Sequence, residues 1–387
     1  MKKVVLLQKY ISPYRIPLFN GLAEHPEIDF TLVHYGNLEK RRKWTKYPTK
    51  KFSEFQTKRI SIKLNYTQNI NLPLSLISDF ARLRPEVIIC APDTGGVSAY
   101  LYTRKTPGSS YIIWSEATHI TEQVRKIGFL KKCLRSVIYR GSSRFIVPGQ
   151  MAADYIREYV PSAKIFYANN CLNEDDFKIS EDYLRQKWAK RRLTLTFSGS
   201  LIKDKGITFL LEAFKGLMKE KPYLKENCLL RILGTGPLDL SAYQDENILF
   251  EGFCEGEKYY NFMKESHVFI LPSLRDCNPL TVIEALFAGN ILIVSSRVGN
   301  YPEAVRDNGL IIQSISEAEI GRAIDSILAL PRERLVDMAL NSLAVSSTFT
   351  VEKSLEGFIS AIFNNEREAS SPKRVSSADE LCSPCAW

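Results

Sequence analysis

Short, nearly continuous runs of apolar and β-branched residues recur along the chain, separated by stretches of helical period. In the first half they are Val4–Leu7, Phe30–Val33, Val87–Cys90, Tyr111–Trp114 and Phe145–Val147. In the second they are Leu193–Phe197, Leu229–Leu233, Ile248–Phe250, Val268–Leu271, Ile291–Val294 and Leu310–Ile312. Such runs are too short for buried helices and too continuous for half-exposed strands, which alternate apolar with polar. Strands covered on both faces and joined by crossover helices read this way. The pattern therefore predicts an α/β fold of two consecutive doubly wound, Rossmann-like domains facing across a cleft.

The polar stretch Asn169–Asp176 and the charged segment after it place the domain boundary between Ala168 and Arg192. The organisation expected is a first domain over residues 1–170, a second over 171–345, and a further segment over 346–365. From about Glu366 the chain turns Ser-, Pro- and charge-rich, so 366–387 is expected to be a flexible tail. In open α/β sheets ligands sit beyond the carboxyl ends of the strands, so the strand-to-helix loops are where chemistry should lie.

Composition narrows the classes. With 45% hydrophobic and 25% charged residues over 387 positions, a fibrous or wholly disordered chain is excluded. No window approaches the length of a membrane span, and MKKVVLLQKY reads as a first strand, not a signal peptide. The eight cysteines are scattered singly except Cys382 and Cys385, which favours a reducing, cytoplasmic setting over a disulfide scaffold. That last C-x-x-C stands alone in a Ser-rich tail and reads as a terminus, not a zinc or redox site. Charge is uneven: residues 1–170 hold 27 basic and 12 acidic side chains, while 171–387 hold 25 and 31.

Three loops of the second half carry candidate chemistry. Phe197-Ser198-Gly199-Ser200-Leu201-Ile202-Lys203-Asp204-Lys205-Gly206 runs from a strand through a small-residue turn into a helix over Ile207–Leu217. Small residues let backbone N–H groups approach an anion, and Lys205 supplies a point charge for phosphate. A second turn, Gly234-Thr235-Gly236-Pro237, lacks the rest of a dinucleotide fingerprint. The third stretch, Pro272-Ser273-Leu274-Arg275-Asp276-Cys277-Asn278-Pro279-Leu280-Thr281-Val282-Ile283-Glu284, starts a helix that Gly289 stops. Asn278 is the expected cap and Pro279 the first-turn residue, leaving N–H groups around Leu280, Thr281 and Val282 for an anion. Glu284 lies on a largely apolar helix and needs partners, either in a structural salt bridge or on a ligand.

These elements, in this order and spacing from Phe197 to Ile312, resemble the donor domain of glycosyltransferase family 4, retaining enzymes of GT-B fold. The resemblance rests on the acidic-x7-Glu pair Asp276 and Glu284, the turn before Lys205-Gly206, the G-x-G-P turn, and the G-x-x-E stretch Gly299-Asn300-Tyr301-Pro302-Glu303. It implies that Glu284 holds the ribose hydroxyls of a nucleotide sugar and that Asp276 lies near the transferred sugar. Backbone over Asn278–Leu280 would hold sugar and diphosphate, Lys205 would neutralise the leaving diphosphate, and the segment from Phe253 would meet the base. Thr348–Asn364 resembles the family's last helix, which crosses back to the first domain. The match to the first domain is loose, through Ser12–Phe19 and the strand rhythm.

Two positions depart from the family pattern. An arginine expected after the turn glycine is Ser200, with Arg275 as the nearby substitute, and the first acidic position is Asp276 where the family has Glu. Family members often carry a His at the end of a first-domain strand. That slot holds Ser115 or Glu116, with His119 close behind, so Glu116 or His119 is expected to approach sugar or acceptor. Tyr14 and Arg15, after the first strand, are candidates for acceptor contact.

The expected activity is transfer of a sugar from a UDP- or GDP-sugar to a glycan, lipid-linked and destined for a cell-surface polysaccharide. No D-x-D pair occurs, so neither metal nor cofactor is expected. The basic clusters Lys40–Lys43 with Lys46, Lys50, Lys51, Lys58 and Arg59, and Arg125, Lys126, Lys131, Lys132, Arg135, Arg140 and Arg144, suggest an anionic membrane surface as partner. Nucleic acid is not expected, because no recognition fold accompanies the charge. The protein would then be cytoplasmic and peripherally bound to the inner face of the membrane. A sugar-nucleotide epimerase of similar fold and a non-catalytic sugar-nucleotide-binding protein are the rival readings.

Overall fold

The structure is a computed structural model that describes residues 1–36, 47–63, 69–123 and 129–364. Lys40–Lys43, Lys46, Arg125, Lys126, and the 366–387 tail with Cys382 and Cys385 lie outside the described residues. The strands are β1 (Lys2–Gln8), β2 (Ile28–His34), β3 (Ser53–Gln56), β4 (Arg59–Lys63), β5 (Asn69–Pro73), β6 (Val87–Cys90), β7 (Ser110–Trp114), β8 (Arg144–Val147) and β9 (Lys164–Tyr167) in the first half. The second half contributes β10 (Leu193–Ser198), β11 (Cys228–Leu233), β12 (Ile248–Gly252), β13 (Val268–Leu271), β14 (Ile291–Ser295) and β15 (Gly309–Ile312).

They form a seven-stranded parallel sheet, β3-β2-β1-β6-β7-β8-β9, a six-stranded parallel sheet, β12-β11-β10-β13-β14-β15, and an antiparallel β4–β5 hairpin. All eleven apolar runs became strands inside the two parallel sheets. Both faces of each sheet are covered, which explains why the runs are continuous. In the first sheet Val5, Leu7, Ile88, Cys90 and Ile113 face one core, while Val4, Leu6, Val87, Ile89 and Ile112 face the other. β3 and β9 escaped the sequence reading because they are edge strands, short and half polar.

The helix Val351–Phe363 packs on the first sheet, not the second, with Phe358 edge-on to Trp114 at 5.0 Å. Thr350 caps its start. At its far end Arg144 donates to the carbonyls of Ala361 and Ile362 at 2.7 and 3.1 Å, and Lys2 reaches Ile362 at 3.3 Å. Cations there complement both the open carbonyls and the helix dipole. This corrects one sequence expectation: Arg144 is not part of a basic surface. Arg135 is turned inward as well, held by Glu122 at 2.7 Å and by the Tyr155 hydroxyl at 3.0 Å. An arginine that finds a buried carboxylate partner gains more from it than from solvent.

Candidate functional site

Strand order reverses direction twice, between β1 and β6 and between β10 and β13. Loops at such switch points diverge and leave a crevice. At the second, the loop after β10 brings Lys205 against the loop after β13, where its ammonium pairs with the Asp276 carboxylate. Beside it, Arg275 grips Asp204 through Nε and one terminal nitrogen, at 3.0 and 2.6 Å. The Leu274 N–H donates to the Asp204 carbonyl at 2.8 Å. Two cations and two carboxylates thus neutralise one another across the crevice mouth. Ser200 is exposed at its rim.

The turn glycines are there for contact. Gly234 has φ of 137°, and a Cβ on it would fall 1.9 Å from the Gly199 carbonyl oxygen, so no side chain fits between the first two turns. Leu201 N–H donates to Thr235 O at 3.1 Å, closing the same junction beside Gly236.

The helix Leu280–Phe287 begins differently from the sequence expectation. Pro279, with φ −70° and ψ 124°, occupies the cap position itself, and no side chain caps the helix. Asn278 instead accepts from the Asn300 amide at 3.3 Å, which also donates to Pro279 O at 3.1 Å. Because Pro279 carries no side-chain acceptor, the first-turn N–H groups of Leu280 and Thr281 remain available to a ligand.

Glu284 is one turn further along. Its carboxylate accepts the Tyr259 hydroxyl, which in turn lies 3.0 Å from Ser198 Oγ. Burial with no cation nearby pushes the Glu284 carboxyl up to about 7, and the Tyr259 hydrogen bond only partly offsets this. The salt-bridge reading of Glu284 therefore gives way: its observed partner is a phenol, not a cation. Sequence spacing did not reveal Tyr259, since it sits on the separate helix Glu257–Glu265. Phe253, just after β12, is 45% exposed.

In the first domain, the Arg15 guanidinium lies 4.4 Å over the Trp114 ring and 5.5 Å from the Tyr14 ring. It donates to Gln8 at 2.8 Å and to Glu116 at 2.8 Å. Glu116 also accepts from Asn170 at 3.2 Å, in the segment leading to the second domain. Tyr14 packs against the second domain's core. Arg15 and Glu116 are thus brought together, whereas His119 lies apart, 3.0 Å from Glu158 and edge-on to Tyr155. At the first switch point the sequence reading missed Asp93. It caps the helix Thr94–Lys105 through Gly95 N–H and accepts the buried Tyr35 hydroxyl at 2.5 Å. Among the described residues, no three His, Cys, Asp or Glu side chains converge as a metal site.

Residues 180–342 match the family described as glycosyl transferases group 1. An uncharacterized glycosyltransferase of Methanocaldococcus jannaschii is 27% identical over 199 residues, covering 46% of this chain and 50% of that protein. The lipopolysaccharide 1,2-N-acetylglucosaminetransferase of Salmonella typhimurium is 25% identical over 175 residues, 41% of this chain and 45% of its own. The chain spans about half the length of the curated relatives it matches. Among solved structures, sucrose-phosphate synthase from Thermosynechococcus elongatus superposes with a TM-score of 0.69 at 14% identity, over 94% of this chain and 99% of that one. Anabaena HepE, crystallised with UDP and glucose, gives 0.66 at 12% identity over 94% and 100%. The chain has the GT-B fold of these structures, and its residues 180–342 match the glycosyl transferases group 1 family.

Proposed function

We propose that the protein is a retaining glycosyltransferase that moves a sugar from a UDP- or GDP-sugar to a glycan acceptor, lipid-linked, in the building of a cell-surface polysaccharide. The observation that carries this is the second-domain crevice: an uncapped helix N-terminus, a lysine–aspartate pair at its mouth, and a carboxylate held for hydrogen bonding one turn below. That HepE was crystallised with UDP and glucose supports a nucleotide-sugar donor. The lipopolysaccharide transferase among the relatives supports a surface glycan as product.

Breaking a glycosyl–phosphate bond leaves an oxocarbenium-like sugar and a diphosphate whose charge grows. The chain's task is to position both and to stabilise the departing charge. On donor entry Lys205 exchanges Asp276 for diphosphate, and Arg275, released from Asp204, supplies the second cation that Ser200 does not. The N–H groups of Leu280 and Thr281 bind phosphate oxygens, Asp276 turns to the sugar, and Glu284 takes the ribose hydroxyls. On this reading Phe253, exposed just after β12, meets the base. No cofactor or metal is called on, because the cations and the helix terminus carry the charge. A diphosphate oxygen takes the acceptor proton. Tyr14, Arg15 and Glu116 line the acceptor side, with His119 further out.

We assign the outer surface of the first domain's helices to an anionic bilayer. Leu74, Ile77, Leu101, Leu134 and Val137 are exposed on neighbouring elements of the first domain, with Lys132 and Arg140 beside the last two. No described helix is long and apolar enough to cross a membrane. Such a protein would sit peripherally on the cytoplasmic face. The test is incubation with UDP- and GDP-sugars plus membrane extract. Transfer of label to lipid is expected; interconversion of free donor would mean an epimerase, and binding without turnover a non-catalytic protein.

A further inference from the structure

Glu303 is 3% exposed, yet its partner belongs to the other domain. Its Oε1 accepts the backbone N–H of Gln150 at 2.7 Å, the first residue of the helix Gln150–Tyr159. The residue before that helix is Gly149, which offers no side-chain cap. A Cβ on Gly149 would stand 2.7 Å from the Glu303 carboxylate, so the carboxylate fills the space a capping side chain would use. A glutamate of the second domain therefore caps a helix of the first. Its other oxygen, Oε2, is buried with no partner. Leaving a carboxylate oxygen in that state is costly: burial raises the Glu303 pKa, and the Gln150 N–H, with Arg306 nearby, only partly offsets it. Separating the domains would return the whole group to water.

The segment that carries Glu303 is tied to the crevice at its other end. Asp276 N–H donates to Arg297 O at 3.0 Å and Gly299 N–H to Asp276 O at 2.9 Å. Gly299 lies so close that a Cβ would fall 1.8 Å from the Cys277 carbonyl oxygen. Asn300 holds Pro279 and Asn278 through its amide. Seven residues, Arg297 to Glu303, thus run from the backbone of the Asp276–Pro279 loop to the N-terminus of a first-domain helix. Gln150, the capped residue, extends the link into the first sheet by accepting the Tyr167 hydroxyl at 2.9 Å.

We propose that Glu303 is a positioning residue that holds the two domains together and sets the first domain against the Asp276–Pro279 loop. The proposal rests on the reading of that loop as the donor site. Glu303 itself touches no substrate. It acts through Arg297–Asn300 on one side and through Gln150 on the other, so the loop's geometry and the domain contact change together.

The test compares the full chain with Glu303→Ala, Glu303→Gln and Gly149→Ala. Amide exchange is followed over residues 150–155, together with UDP affinity, melting temperature, and kcat and KM for the donor. Gly149→Ala breaks the contact from the other side, by displacing the carboxylate. Glu303→Ala and Gly149→Ala are expected to speed exchange at Gln150 and to lower kcat by about 10- to 100-fold, while UDP affinity stays within about threefold. Glu303→Gln keeps an acceptor oxygen and restores most of the loss. Unchanged exchange and kcat in both disrupting variants would overturn the proposal. So would a loss of UDP affinity in step with melting temperature, the signature of a merely structural role. If the unaltered protein binds no UDP, the donor-site reading fails, while exchange at Gln150 still judges the contact.

Discussion

The Tyr259 hydroxyl donates to the Glu284 carboxylate, joining two helices that follow different strands of the second sheet. The phenol has one hydrogen, so Ser198 donates to Tyr259 in turn. This relay ends on a carboxyl whose pKa is pushed up to about 7, and a pH dependence follows. Ribose hydroxyls are donors and favour the ionised form. Donor affinity should therefore rise about tenfold from pH 6 to pH 8, measured by UDP calorimetry. Removing the phenol with Tyr259→Phe withdraws a hydrogen bond that favours ionisation, so the rise should move to higher pH. Stability runs the other way: a carboxyl whose folded pKa is raised favours folding below its ordinary value of 4.5, and that contribution is lost as pH climbs through about 7. A pH-independent affinity in the unaltered protein would remove Glu284 from the ribose site.

Lys205 and Asp276 balance each other, so their single variants should not be equivalent. Lys205→Met removes the charge meant for the leaving diphosphate and leaves Asp276 facing it. Turnover should fall by about 10²- to 10³-fold, the cost of losing one charge-stabilising group. Asp276→Asn frees the lysine, so UDP should bind at least as tightly while sugar transfer falls. Equal losses of UDP affinity in both variants would refute this division of labour.

Arg275 and Ser200 allow a complementary test. If Arg275 serves as the second diphosphate cation, Arg275→Gln should weaken donor binding by about tenfold. Ser200→Arg, at an exposed position on the rim, should restore it in the double variant. Additive, uncoupled effects in that cycle would show that Arg275 only braces Asp204.

The sheets were legible because every central strand is covered on both faces, and burial writes itself as an unbroken apolar run. The second-domain loops were legible for another reason. A tight turn needs glycine, as at Gly234, and a helix-terminal anion site needs a strand, a polar loop and a helix in fixed order. What failed depends on contacts between segments distant in sequence. Arg135 and Arg144 read as surface charge because nothing local shows that Glu122 and the helix Val351–Phe363 would claim them. Asn278 has the composition of a cap, but Asn300 takes its side chain. The cross-domain bond of Glu303 was invisible for the same reason.

Lys187 shows how strongly such a distant contact can be built in. It is 2% exposed, and its ammonium reaches Ser266 O and Ala288 O at 2.8 Å, Gly289 O at 3.1 Å and Asn290 Oδ1 at 3.0 Å. Burial pushes its pKa well below the ordinary lysine value. All four partners are acceptors, however, and they include the carbonyls that end the helix bearing Glu284. A cation there complements the helix dipole. Lys187→Met should destabilise the protein by about 2–4 kcal/mol in urea, because the orphaned carbonyls stay buried. A loss below about 0.5 kcal/mol would mean that water replaces the ammonium without cost.

Membrane binding is predicted to depend on the outward side of one helix. In Phe129–Arg140, Ile138 and Tyr139 enter the core, whereas Leu134 and Val137 are 46% and 47% exposed beside Lys132 and Arg140. An apolar pair flanked by cations suits the boundary between headgroups and acyl chains. Each basic residue near an anionic surface contributes about 1 kcal/mol, a term that added salt screens. Sedimentation with phosphatidylglycerol-containing vesicles should show binding that weakens as salt rises and is nearly absent on neutral vesicles. Replacing both Leu134 and Val137 by Glu should lower the bound fraction at least tenfold, since it removes the apolar insertion and adds repulsion. Neither side chain contributes to the core, so folding and UDP affinity should be unaffected. Equal binding of this double variant to anionic vesicles would move the membrane contact to another face of the first domain.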